Sequence, residues 1–305
     1  MIFFWQTKRK FFQLVSGLAF VLMALPGYSQ TGIAIRQNEV LEISRESPLM
    51  QRKMSYRVIL PAAYKRNEQK RFPVIYLLHG RGGNYRDWSN LTKIEEYSFP
   101  YEFIVVMPDG GTNGWYTDNQ NVPNDAYESY FVQELIPDIE REFRAATEKS
   151  GRIVAGLSMG GYGSLKFGLK YPEKFIVAGS FSGAFDAVVK TEKYPHLIES
   201  VKGVFGAEDS SARAANDIFR LVREASPEQI KTFPFLFIEC GMTDHQFQAN
   251  RDFVALLTER KIPHEYRQMP GEHNWKFWDS EIQEFLQAAD KIIFRAKASP
   301  KTKNK

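Results

Sequence analysis

The chain has 305 residues, of which 43% are hydrophobic, enough for one sizeable core and unlike a collagen-like or disordered chain. The formal net charge is +4, but Lys8, Arg9 and Lys10 carry +3 and the five basic residues from Arg295 to Lys305 carry +5, so the body between them carries −4. That mildly acidic body has no basic stripe suited to nucleic acid.

Lys8 to Lys10 precede an apolar run from Phe11 to Leu25, followed by Pro-Gly-Tyr-Ser at 26–29. A basic start, a short apolar stretch and small residues at its end predict a secretory signal peptide over 1–29, cut near Ser29 or Gln30. At about 15 residues the run is shorter than the roughly 20 needed to span a bilayer. The expectation is a periplasmic or secreted protein without membrane insertion after cleavage. Cys240 is the only cysteine, so no internal disulfide can form, and it reads as a small buried hydrophobe.

Residues 30–294 read as a single catalytic domain. "VLEIS" and "MSYRVILP", within 39–61, alternate and predict an early hairpin. Five short apolar runs follow at 72–80, 103–110, 152–156, 175–183 and 233–241. They lack alternation, as expected of strands buried on both faces. Helical spacing is found over Tyr127–Phe143, Met159–Tyr171, Gln248–Lys261 and Trp278–Ile293. Strands alternating with helices predict an α/β fold with a mostly parallel sheet covered on both faces. Residues 187–232 are charged and broken by Pro195, Gly203, Gly206 and Pro227. They read as an insertion of short helices, either a lid or a surface excursion. Residues 295–305 read as a basic, frayed tail.

The chemistry centres on "RIVAGLSMGGYGSL", 152–165. Gly156-Leu157-Ser158-Met159-Gly160 fits G-x-S-x-G between an apolar strand and a helix, the context of a nucleophile elbow. The flanking glycines remove side chains that would clash in so tight a turn. A serine hydroxyl needs a base and an orienting acid. Among the five histidines, His273 lies in a loop after the last strand-like segment, "HEYRQMP", and before the last helix. His264 sits inside that segment, and His196 lies in the insertion without a neighbouring acid. Asp244, just past the run 233–241, is the expected acid; Glu239, inside the run, is the competitor, and His245 is Asp244's neighbour. Met159 N–H is one expected oxyanion donor. The second is expected from the loop after "YLLHG", from Gly80 or Arg81. His79 reads as an orienting residue of that loop, beside the substrate pocket. No His-x-x-x-His pair suggests a metal, and Gly80-Arg81-Gly82-Gly83 lacks the Lys-Ser/Thr ending of a phosphate loop.

The ordered motifs "YLLHGRGGNYRDW", "VVMPDG", "GWYTD", "YESYFVQELIPDIE", "GLSMGGYGSL", "GSFSGAFD", "CGMTD" and "PGEHNWKFW" resemble the esterase D–like family over roughly residues 38–293. That family includes tributyrin, feruloyl and acetyl-xylan esterases, S-formylglutathione hydrolases and mycolyltransferases. The resemblance implies the α/β-hydrolase fold and no cofactor. It places the nucleophile on Ser158, the acid on Asp244 and the base on His273, in the chain order of that fold. It also suggests Trp115, Tyr116 and Trp275 as pocket residues. Relatives often read Gly-Gly-His where this chain reads Gly271-Glu272-His273.

The expected activity is hydrolysis of short-chain or carbohydrate-linked acyl esters, with a small-molecule or polysaccharide-linked ester as partner. Acyl transfer to a sugar hydroxyl, a formylglutathione-type thioesterase and a non-catalytic binding protein are the alternatives. The export signal weighs against the cytoplasmic thioesterases.

Overall fold

The computed structural model describes residues 39–189 and 191–298. The expected signal peptide and residues 299–305 of the expected tail lie outside them. No helix among the described residues is long and apolar enough to cross a membrane.

Eight strands form one sheet. They are β1 (Glu39–Ser47), β2 (Arg52–Leu60), β3 (Val74–Leu78), β4 (Ile104–Pro108), β5 (Arg152–Leu157), β6 (Val177–Phe181), β7 (Phe235–Gly241) and β8 (His264–Met269). Their spatial order is β1-β2-β4-β3-β5-β6-β7-β8. The expected hairpin is β1–β2, antiparallel from Glu39↔Leu60 to Ser47↔Arg52. β2 also runs antiparallel to β4, and every pairing from β4 to β8 is parallel.

Alternate residues of the central strands enter two different cores. Val74, Tyr76 and Leu78 of β3 pack into one, with Phe131 and Phe167. Ile75 and Leu77 pack into the other, with Phe285 and Leu286. This is why these strands read as unbroken apolar runs: neither face meets water.

Two short helices, Asp87–Leu91 and Ile94–Ser98, cover part of one face, and a longer stretch follows over 127–142. It is α-helical at Tyr127–Ser129, π-helical at Tyr130–Leu135 and α-helical again at Ile136–Glu142. The sequence predicts a plain helix here, because hydrophobic spacing does not report which carbonyl each N–H meets. Next come α1 (Met159–Lys170), α2 (Ile198–Phe205), α3 (Ser211–Asn216), α4 (Ile218–Glu224), α5 (Pro227–Thr232), α6 (Phe247–Glu259) and α7 (Trp275–Ala298). α2 to α5 lie within the insertion at 187–232. α5 opens on a capping box between Ser226 and Gln229 with Pro227 at its first turn. α7 starts at Trp275, three residues before the expected Trp278. Asn274 initiates it: its side chain accepts from Phe277 N–H at 3.1 Å and its carbonyl accepts from Trp278 N–H at 3.3 Å. α7 also continues to Ala298, four residues into the expected tail.

Candidate active site

Ser158 stands between the end of β5 and the start of α1 at φ 53°, ψ −115°. A non-glycine residue pays of order 1–3 kcal/mol to hold such a conformation. Its neighbours make the turn possible. A Cβ at Gly156 would lie 2.6 Å from the Gly160 carbonyl, and one at Gly160 would lie 2.5 Å from the Leu78 carbonyl oxygen. The Ser158 N–H donates to Phe181 O at 2.9 Å, and Ser158 O accepts from Tyr162 N–H at 3.0 Å and Ala184 N–H at 3.1 Å. The backbone is fixed by β6, the loop after it and the first turn of α1, which leaves the hydroxyl to point outward.

The hydroxyl meets His273, whose Nε2 lies 2.9 Å from Ser158 Oγ. His273 Nδ1 lies 3.0 Å and 2.9 Å from the two Asp244 carboxylate oxygens. The carboxylate can only accept, so Nδ1 carries the proton and Nε2 accepts from the serine. Asp244 also accepts from Gln246 N–H at 2.7 Å. Burial pushes its carboxyl up, but the hydrogen bonds from His273, Ser182 and Gln246 outweigh burial and hold it below the ordinary aspartate range. The loops of β7 and β8 are pinned together, with Thr243 N–H at 3.1 Å and Thr243 Oγ1 at 2.7 Å both donating to Gly271 O. Trp278 closes the inner side of the His273 ring edge-on at 5.0 Å, and its Nε1 donates to Ser182 Oγ at 3.2 Å.

These groups open onto a cavity of about 510 Å³ lined also by Gly80, Arg81, Met159, Trp115 and Trp275. The insertion contributes His196 and Leu197 to its wall. Trp115 is tied to the insertion by its Nε1, which donates to Ser200 Oγ at 2.9 Å.

Two expected pocket residues do not line this cavity. Tyr116 is buried, and its hydroxyl donates to His79 O at 3.0 Å, behind the loop. His79 is buried as well. Its Nδ1 donates to Gly80 O at 2.8 Å and its Nε2 accepts from Gly110 N–H at 2.8 Å. Both ring nitrogens are engaged, so His79 orients the loop from behind it.

The Gly80 carbonyl is held inward by His79 and by Gly83 N–H at 3.2 Å. In a trans peptide the next N–H points the opposite way. Arg81 N–H is therefore turned away from His79. As the first residue of α1, Met159 has an N–H with no intrahelical acceptor, and the helix dipole favours negative charge beside it.

A profile of the family described as "Putative esterase" matches residues 47–289. The chain belongs to this esterase family. It has the α/β-hydrolase fold and is a carboxylic-ester hydrolase. The esterase is 29% identical over 267 residues to the acetyl esterase of Caldicellulosiruptor saccharolyticus, covering 83% of this chain and 98% of that protein. It is 33% identical over 242 residues to the esterase Rv1288 of Mycobacterium tuberculosis, covering 71% of this chain and 51% of that one. Among solved structures it is similar to FphF, a fluorophosphonate-binding serine hydrolase of Staphylococcus aureus, with a TM-score of 0.74, 26% identity and coverage of 83% and 98%.

Sequence reasoning did not find three polar features of the esterase. Lys166, on α1, is fully buried and donates to Tyr116 O and Thr117 Oγ1, each at 2.6 Å, and to Glu128 Oε2 at 2.7 Å. A lysine within a helical, glycine-rich stretch gives no warning of this. His245 stands against His273 with ring centroids 4.3 Å apart and its Nδ1 3.6 Å from Asp244 Oδ1. The third is Glu239, the competitor for the acid.

Glu239 is on β7 but faces α7, on the same side as Phe237 and away from His273. It is fully buried, and neither carboxylate oxygen has a hydrogen-bond partner. Arg267 Nη1 stands 3.5 Å away and is shared with Glu284. Burial, then the nearby Glu281, outweigh Arg267 and push the Glu239 carboxyl up to about 9. Between the ordinary value of 4.5 and about 9 the folded chain holds a proton that the unfolded chain has lost. Stability therefore falls as pH rises through that window. Glu239→Gln, which imitates the protonated acid, should raise stability at pH 8 by a few kcal/mol and change little near pH 4.5. Denaturant midpoints at the two pH values check this; an equal shift at both would contradict it.

Proposed function

We propose that this is an exported serine esterase in which Ser158 is the nucleophile, His273 the general base and acid, and Asp244 the group that orients His273. The supporting observation is the continuous Ser158–His273–Asp244 hydrogen-bond chain at the edge of the cavity. Ser158 Oγ attacks the ester carbonyl while His273 Nε2 takes its proton. Negative charge develops on the carbonyl oxygen, and the N–H groups of Met159 and Arg81 receive it. His273 then gives the proton to the leaving alcohol, and the acyl group stays on Ser158. Water enters, loses a proton to His273 and releases the acid. Asp244 stabilises the imidazolium in both halves. The Ser158 strain and the α1 N-terminus are in place before substrate arrives, so little reorganisation is needed during the reaction.

Acetyl or feruloyl esters of carbohydrate are the proposed substrates, after the acetyl esterase relative. The basic start and short apolar run within residues 1–29 support the export reading. The test is steady-state hydrolysis of p-nitrophenyl acetate, butyrate and octanoate, methyl ferulate, acetylated xylan and S-formylglutathione, with a Ser158→Ala control. The expected result is Ser158-dependent turnover that is highest on the acetyl and feruloyl esters. A preference for S-formylglutathione, or for octanoate, would overturn the substrate assignment.

A further inference from the structure

Asp244 Oδ1 has two imidazole nitrogens near it. His273 Nδ1 lies at 3.0 Å and His245 Nδ1 at 3.6 Å. The second contact is longer than a hydrogen bond, so it does not commit the His245 nitrogen to Asp244. One ligand atom from each of the three residues falls within 4.8 Å of the other two. His245 is half-exposed and lines the cavity beside Ser158, as His273 does. We propose that Asp244, His245 and His273 form an inhibitory site for a divalent transition-metal ion of the zinc kind, entered from that cavity. This rests on the catalytic role proposed above for His273 and adds a way of switching that residue off.

The spacing suits the ion. Zinc is held by imidazole nitrogen at about 2.0–2.1 Å and by carboxylate oxygen at about 2.0–2.2 Å, in a tetrahedral shell whose ligand atoms therefore stand about 3.4 Å apart. The separations of 3.0 Å and 3.6 Å fall on either side of that value. The ion enters with shifts of a few tenths of an ångström. Two imidazoles and one carboxylate make up the ligands of some zinc sites, with the fourth position left to water. Magnesium and calcium prefer shells of oxygen and are poorly served by two ring nitrogens.

The effect on catalysis follows from the tautomer. In the metal-free enzyme the His273 Nδ1 proton faces Asp244, and Nε2 accepts from Ser158 Oγ. The ion takes the place of the Nδ1 proton between His273 and Asp244. Nε2 takes up a proton in exchange, so the ring stays neutral and no net proton is released. Nε2 then has no lone pair for the serine proton, and the nucleophile loses its base. His245 decides the outcome. Asp244 and His273 already satisfy each other through a hydrogen bond, and only a third ligand makes the ion the better partner.

The test titrates zinc chloride into the tag-free full chain by calorimetry and follows p-nitrophenyl acetate hydrolysis at the same zinc concentrations. The wild type should bind one ion per chain and lose activity in parallel, and EDTA should restore it. Magnesium chloride should do neither. His245→Ala and the milder His245→Asn should each weaken binding and inhibition by roughly 100-fold or more, since losing even a group behind a metal ligand costs roughly 10- to 100-fold. His264→Ala removes a histidine that does not line the cavity and should leave both unchanged. Zinc binding that is absent, or equal in the wild type and both His245 variants, would overturn the site. Binding that needs His245 but leaves hydrolysis intact would keep the metal site and overturn His273 as the base.

Discussion

Replacing Ser158 by alanine should abolish ester hydrolysis, with kcat falling by roughly 10⁴- to 10⁶-fold. The size of the loss comes from the way the three groups act together. His273 Nε2 has one partner in the cavity, Ser158 Oγ at 2.9 Å, and without it the base has no proton to take. What survives is the contribution of the oxyanion donors and of binding, which a triad variant retains. The substitution removes a single oxygen from a cavity wall and leaves the Gly156 and Gly160 contacts that shape the turn. Alanine keeps the positive φ of 53°, at a small cost. The variant should therefore unfold at nearly the wild-type denaturant midpoint while losing activity. Single-turnover assays with p-nitrophenyl acetate and a parallel unfolding curve separate the two effects. Hydrolysis within tenfold of wild type would place the nucleophile elsewhere.

The largest expected effect on stability is at Lys166. Lys166→Met should cost about 3–5 kcal/mol, because it takes from a buried carboxylate its one fully buried cation and leaves only the partly exposed Lys170. Burial pushes the Glu128 carboxyl up, but Lys166 and Lys170 outweigh it and hold it at about 2. Burial likewise lowers Lys166 to about 8, with Glu128 opposing that shift. Methionine fills the stem's volume but offers the Tyr116 carbonyl, Thr117 and Glu128 nothing. The damage should reach activity as well. Trp115 and Tyr116 both hold φ near 51°, and the buried ammonium is what fastens that strained pair to α1. The double variant Lys166→Met with Glu128→Gln should recover much of the lost stability, since no charge then remains buried alone. Urea midpoints of the two variants check the prediction; equal losses in both would argue against the ion pair. The sign for pH is also fixed. Glu128 contributes stability above pH 4.5, and this is lost as pH falls from there toward 2.

The sequence made the sheet legible because its central strands bury both faces and so stand out as short apolar runs. The elbow was legible because only glycine fits at 156 and 160, where backbone crowds to 2.6 Å or less. Asp244 and His273 could be named because each follows a strand end, and strand ends of a parallel sheet gather on one side. Side-chain direction was less accessible. Trp115 and Tyr116 are adjacent and similar in character, yet one lines the cavity and the other braces the loop behind it. The left-handed backbone of both residues decides which, and no residue type announced it. Glu239 and Asp244 are both acids at the end of one strand; the pleat sends the first toward α7. Lys166 and Glu128 are 38 positions apart, and a pairing over that distance leaves no pattern in the sequence.

The proposed triad joins a central strand of the sheet to one of its two edges. Ser158 follows β5, which has a strand on each side, whereas His273 follows β8, an edge strand paired only to β7 and partly open to water along its length. Outer strands open more easily than the molecule as a whole unfolds, and amide hydrogen exchange reads that difference directly. Each brief fraying of β8 carries the base away from a serine that stays fixed. Catalytic competence is thus coupled to the free energy of one local opening, not to that of global unfolding. On warming, the esterase should fall silent while most of its sheet is still intact.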